Sequence, residues 1–212
     1  MVMTAQGLRE RKKQATRRQI ADVATAMFFT RGFDNVTVAE VAQAANVSKM
    51  TVFNYFPRKE DLFLDRSADL IAELRRAIAE RQAGQSVLAA VRQYQQDLLA
   101  AGHPLSGAIE GVIPFWRVLH SSPALVSRMH EQAHEIQDAL SQALTDQGSD
   151  PTGSRLVAGL LAATVTTVYS IAVQRMLDSD NVQDVRRDQV GVIDEAFDLL
   201  ERGIGNWPET PG

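Results

Sequence analysis

Two stretches of this chain place side chains at spacings that could do chemistry. His130, Glu131 and His134 follow the order H-E-x-x-H. On a helix this sets two imidazoles one turn apart with a carboxylate beside them, as in zinc hydrolases. Catalysis there needs a third ligand, and no third His follows at a usable spacing. The next carboxylates downstream, Asp146 and Asp150, fall in or near an expected loop. No strand that could hold a substrate is expected either. A metal-dependent hydrolase built on His130 and His134 is therefore the remotest reading, and no catalytic residue, metal site or cofactor is assigned. Gly-rich phosphate loops and Ser-nucleophile elbows are absent from the sequence, and the lack of Cys removes thiolate chemistry and disulfides.

The second stretch is TVAEVAQAANVSKMTVFNYFPRK, from Thr37 to Lys59. Thr37 and Glu40 have capping-box spacing for a short helix with Val38, Val41, Ala42 and Ala45 facing inward. Asn46 marks a sharp turn, because Asn tolerates the left-handed backbone. Ser48 caps a second short helix that ends before Pro57. On that helix Val52, Phe53 and Phe56 are expected to pack, leaving Ser48, Lys49, Met50, Thr51, Asn54 and Tyr55 outward. Such a face suits the edges of a nucleic-acid groove: Lys49 donates to phosphate or guanine, Thr51 meets a base or phosphate, and Asn54 and Tyr55 hydrogen-bond either. Thr37 offers a hydroxyl and backbone N–H groups to a phosphate. Lys59 reaches the backbone from the other end. Arg9, Arg11, Lys12, Lys13, Arg17 and Arg18 make a basic arm upstream.

The elements that must position these groups are helical throughout, since no run alternates with a period of two. A first helix with Ile20, Val23, Ala24, Met27 and Phe28 on one face stops near Gly32. After the two short helices, a long one is expected over residues 59–81 and a fifth over 86–101. Residues 106–120 are expected to be helical but kinked or split at Pro114. Ser122 caps a helix over 123–147, and two more run over 154–177 and 182–202. The last seven residues are expected to fray.

Charge divides the chain in the same place. Residues 1–60 carry +5 and residues 61–212 carry −9, within a net charge of −4. A basic end on an acidic body points to contact with a polyanion through the first sixty residues alone. At 45% hydrophobic and 23% charged residues the chain is of ordinary globular composition. No apolar leader stands near the start, so no secretory signal is expected. The most apolar segment, 156–173, is broken by Gly159 and three Thr residues. It is read as a buried helix, with no membrane partner.

From Arg17 to Phe63 the chain resembles the N-terminal domain of the tetracycline-repressor (TetR) family of bacterial transcriptional regulators. The resemblance rests on Gly32-Phe33, Thr37, Val41-Ala42, Val47-Ser48-Lys49, and Thr51 to Phe56 leading to Lys59-Glu60-Asp61-Leu62. Asn46 and Met50 stand where that family commonly has Gly, and Phe53 where it often has Tyr. Met50 thus brings an apolar contact to the operator.

The resemblance implies an all-α fold. A helix-turn-helix DNA-binding domain over residues 1–60 precedes a helical effector-binding and dimerisation domain over 61–212. It implies a cytoplasmic, nucleoid-associated, ligand-responsive regulator, most simply a repressor of a palindromic double-stranded operator. A DNA-binding activator or architectural protein without a ligand is the alternative. The last two helices are expected to pair with those of a second copy: Gly159, Ala162, Ala163 and Thr166 allow close approach, and Val190, Ile193, Phe197, Leu200 and Ile204 add an apolar stripe. Tyr94, Phe115, Trp116, Met129 and Tyr169, with Arg117, His120 and His130 as polar groups, are expected to line a pocket for a small, largely apolar effector.

Overall fold

Nine α-helices and two 3-10 turns make up the described part of the computed structural model, which covers residues 5–178 and 180–203, with side chains from residue 11 onward. The Arg9 side chain, Ile204 and the last seven residues lie outside it. No strand occurs among the described residues. The helices are α1 (Ala5–Arg31), α2 (Val38–Ala44), α3 (Lys49–Tyr55), α4 (Ser67–Ala79), α5 (Val87–Ala100), α6 (Val112–Ser121), α7 (Pro123–Thr145), α8 (Pro151–Leu177) and α9 (Val182–Arg202). They divide into two compact units. The first holds residues up to Arg66 together with Pro114–His130; the second holds Ser67–Ile113 and the chain from Glu131 onward.

The first unit is built around Ile20, Ala24, Phe28, Phe33, Val41, Val52, Phe56 and Leu62, all 2% exposed or less. Ile20, Ala24 and Phe28 recur at four-residue steps and so share one face of α1. Gly32, at φ 81, ends the helix, and its N–H donates to the Phe28 carbonyl. The basic arm is not a separate strand of chain, because α1 is already helical from Ala5. Val118, Leu119 and Leu125 from the α6–α7 corner complete this core, with Phe115, Trp116 and Met129 packed against it.

Two sequence expectations fail here for identifiable reasons. The long helix over 59–81 is instead a 3-10 turn (Glu60–Leu62), an irregular step, and then α4. Leu62, Phe63 and Leu64 are all buried, and three successive side chains of one helix fan over 200° and cannot share a core face. Pro114 neither kinks nor splits a helix, because α6 begins only at Val112 and Pro114 sits in its first turn, where no N–H is required. The hydroxyl of Ser122 bonds to the Asp34 carboxylate at 3.1 Å.

In the second unit α5 packs against α4, α8 and α9, and α8 against α9. Ala158, Leu161, Val165, Val168, Ala172 and Met176 form the buried face of α8. The rest of this apolar helix is open in the single chain: Leu156, Val157, Leu160 and Ile171 are exposed. By length and composition α8 is apolar enough to cross a membrane, although its buried face shows how the fold uses it. On α9, Ile193 and Phe197 are buried while Val190 is 46% exposed.

Candidate nucleic-acid interface

The α2–turn–α3 segment is set by local hydrogen bonds that its own residue types dictate. The Thr37 hydroxyl accepts from the Glu40 N–H at 3.2 Å, and the Glu40 carboxylate accepts from the Thr37 N–H at 2.8 Å. That same carboxylate takes the Thr37 O–H at 2.7 Å and the Arg31 guanidinium at 2.7 Å. These donors, led by the Thr37 hydroxyl, hold the Glu40 carboxyl down at about 2. Helix α2 then closes with Val47 N–H on the Ala42 carbonyl and Asn46 N–H on that of Gln43, a Schellman pattern. Its left-handed residue is Asn46, at φ 55, the sole non-glycine with positive φ among the described residues.

Ser48 caps α3: its Oγ accepts the Thr51 N–H at 3.0 Å and shares a 2.8 Å hydrogen bond with the Thr51 hydroxyl. Val52 is the buried anchor, at 0% exposure, and Phe56 follows at 1%. Outward stand Ser48, Lys49, Met50 and Asn54, with Thr51 half-buried. Phe53, expected to pack, is 39% exposed instead. Residues 52 and 56 lie four apart on the core face, whereas 53 is turned 100° away from 52. Its ring lies 5.8 Å from the Lys49 ammonium. Tyr55 is half-buried against the core.

Two cations assigned from the sequence are tied into the domain. The Lys59 ammonium donates to the Phe33 carbonyl at 2.6 Å and sits 4.1 Å from the Phe33 ring centroid. Burial pushes its pKa down, with Asp34 and Glu60 opposing. The Arg17 guanidinium lies 5.0 Å from the Phe56 ring and donates to the Asp65 carbonyl at 2.7 Å. Arg11, Lys12, Lys13 and Arg18 are exposed along α1.

The sequence carried no signal for what braces this domain from the far side. Phe115 stacks on Phe63 at 4.6 Å and 10°. Arg128 Nε donates to Asp61 at 2.7 Å, and both side chains are mostly covered. Periodicity could place each residue on a helix face, but not across 67 positions of chain.

The expected pocket residues are distributed between the units. Phe115, Trp116 and Met129 pack on the first core, and Trp116 lies 5.0 Å from His120. Arg117, His120 and His130 are exposed. In the second unit the Tyr94 hydroxyl donates to Glu73 at 2.8 Å, and burial, then Glu73, keeps the phenol protonated. Tyr169 is half-buried beside Gly107. A polar surface groove of about 240 Å³, between Ser86, Arg92, Gln96 and Glu201, contains none of these eight. His130 and His134 both lie exposed on α7, and no group of three His, Asp or Glu among the described residues could hold a metal.

Comparison with known proteins agrees with this geometry. Residues 20–65 match the model of the bacterial regulatory proteins of the tetR family. The HTH-type transcriptional regulator TcmR of Streptomyces glaucescens is 28% identical over 141 residues, 64% of this chain and 62% of that protein, so the alignment takes in less than two thirds of TcmR. The fatty acid metabolism regulator protein of Bacillus subtilis (strain 168) is 24% identical over 209 residues, 92% of this chain and 99% of its own. Among solved structures, the TetR-family repressor FadR of Thermus thermophilus, in complex with lauroyl-CoA, shares the fold with a TM-score of 0.52. It is 23% identical, and the match covers 92% of this chain and 99% of that one. With the capped α2–turn–α3 unit and the family match over it, residues 20–65 carry the segment that characterises the tetR family of bacterial regulatory proteins, on a chain that shares the all-helical fold of its solved relatives.

Proposed function

We propose that this chain is a cytoplasmic, homodimeric repressor that holds a palindromic operator and releases it when a small, largely apolar effector binds. The observation that carries the DNA half is α3 itself: capped, anchored by Val52, and presenting Lys49, Met50 and Asn54 to solvent on a unit with exposed cations. Ser48, Lys49, Met50, Thr51 and Asn54 read base edges, while Arg17, Thr37, Tyr55 and Lys59 hold phosphates. An ammonium has three N–H donors and Lys59 commits one to Phe33, which leaves donors for a phosphate. Thr37 shares its hydroxyl with Glu40, so its phosphate contact exchanges one acceptor for another.

The dimer reading is supported by the exposed Leu156, Val157, Leu160 and Ile171 of α8 with Val190 of α9, an apolar face that water would otherwise cover. A second copy seated there sets two α3 helices into successive major grooves. The effector is taken by the helices of the second unit, where Tyr94 and Tyr169 supply half-buried aromatic groups. A full-length relative named as a fatty acid metabolism regulator, and a fold relative solved with lauroyl-CoA, make acyl chains, offered on CoA thioesters, the first apolar groups to try. Release requires the effector to bind the DNA-incompetent state more tightly, by a factor equal to the loss of operator affinity.

The test begins by selecting bound fragments from genomic DNA and measuring affinity against salt. Lys59→Met should reduce the slope of log affinity against log salt by roughly one, whereas Lys49→Ala should weaken binding and relax base preference at its position. An acyl-CoA series titrated into the complex should release it with a chain-length optimum. A chain that is monomeric and holds no duplex at low ionic strength refutes the reading.

A further inference from the structure

Most large apolar side chains of the first unit are accounted for by its core, and Phe29 (43% exposed) lies edge-on to Phe63 at 6.0 Å. Met50, 70% exposed, and Phe53, 39% exposed, are not. They stand three residues apart on α3, so their side chains are neighbours on one face. Lys49 adjoins them, with its ammonium 5.8 Å from the Phe53 ring. Asn54 is exposed on the same helix. The result is a two-residue apolar spot enclosed by hydrogen-bonding and cationic groups.

That combination selects its occupant. An apolar protein surface would leave Lys49 and Asn54 desolvated without partners, at a cost that a spot of two side chains cannot offset. A polyanion satisfies Lys49, and the first sixty residues carry +5. Of the groups exposed in the major groove of B-DNA, one is apolar: the C5-methyl of thymine. We infer that Met50, backed by Phe53, recognises thymine C5-methyl groups in each half of the operator, so that one or two thymines are selected by their methyl alone. This rests on the DNA-binding reading above and names which base chemistry it takes. Met50 is flexible and polarisable, so its thioether can settle over a methyl without strain in α3. Because its side chain is mostly in water and outside the core, changing it leaves the domain's folding intact.

The experiment uses the full-length dimer and a selected operator duplex in which each thymine is replaced in turn, in both half-sites, by deoxyuridine. This deletes the methyl and keeps O4 and the base pair. One buried methyl is worth about fourfold, so a symmetric pair of replacements should lower affinity by about 15-fold at one or two positions and leave the others unchanged. Met50→Ala and Met50→Gln should bind the thymine operator more weakly by a similar factor and be indifferent to deoxyuridine at those positions. Phe53→Ser should reduce the thymine preference in part. The inference is overturned if no replacement changes affinity, or if the Met50 variants keep the full deoxyuridine penalty. Binding of the operator with either result leaves the regulator reading standing, whereas failure of the unsubstituted chain to retain any duplex overturns both.

Discussion

The ion pair between Arg128 and Asp61 makes a quantitative claim about what holds the DNA-binding unit together. Arg128 Nε lies 2.7 Å from Asp61 Oδ1, and the two side chains are 12% and 15% exposed. The second Asp61 oxygen accepts the Arg58 N–H at 3.2 Å, within the turn that follows α3. At an effective dielectric near 20, opposite charges about 4 Å apart attract by roughly 4 kcal/mol. Desolvation of both groups offsets most of that, leaving a coupling of about 1–2 kcal/mol. Arg128→Met keeps most of the stem packing but leaves a covered carboxylate without its cation, and should destabilise the unit by about 2 kcal/mol. Asp61→Asn should cost somewhat less, and the double variant should fall short of the sum by the coupling. Urea unfolding followed by Trp116 fluorescence, in a Trp207→Phe background, reports on this unit because Trp116 packs against its core. If the two substitutions add to within about 0.5 kcal/mol, the pair does not brace the domain and the reasoning fails.

The turn between α2 and α3 gives a second test. With φ at 55, Asn46→Ala should lower stability by about 1 kcal/mol, whereas Asn46→Gly should be neutral or stabilising, as read by thermal unfolding. The capping box gives a pH window. Because the Glu40 carboxyl is held near 2 in the folded state, its contribution is complete above its ordinary value of 4.5 and is lost as pH falls from there toward 2. The stability gap between wild type and Glu40→Gln should therefore be constant from pH 7 to 5 and narrow in more acid solution; a gap that stays constant down to pH 3 refutes this. In the second unit Gly107 adopts φ +76, and an added Cβ would stand 2.9 Å from the Tyr169 carbonyl oxygen and 3.1 Å from the Ala172 Cβ. Gly107→Ala should cost more than about 2 kcal/mol by calorimetry, and a change under 0.5 kcal/mol would show that the backbone yields there.

Sequence alone was enough for the backbone from Thr37 to Phe56, though not for the facing of Phe53, because its caps and turn act over a few residues. Thr37 finds Glu40 three positions on, Asn46 takes the left-handed turn between two short apolar patterns, and Ser48 finds Thr51. The bounds of α9 and the extent of α5 were legible for the same reason. Tertiary structure decided what local pattern leaves open. A three-residue apolar run can continue a helix or break it, and burial of Leu62, Phe63 and Leu64 together broke it. Lys59 and Arg17 read as free cations until Phe33 and Phe56 are placed beneath them. Phe115, Trp116 and Met129 read only as an apolar stripe until the core they pack against is in place. An apolar helix such as α8 has no preferred face in its own sequence. Which of its leucines meet water was settled by the helices that pack against it, because burial is a property of neighbours far along the chain.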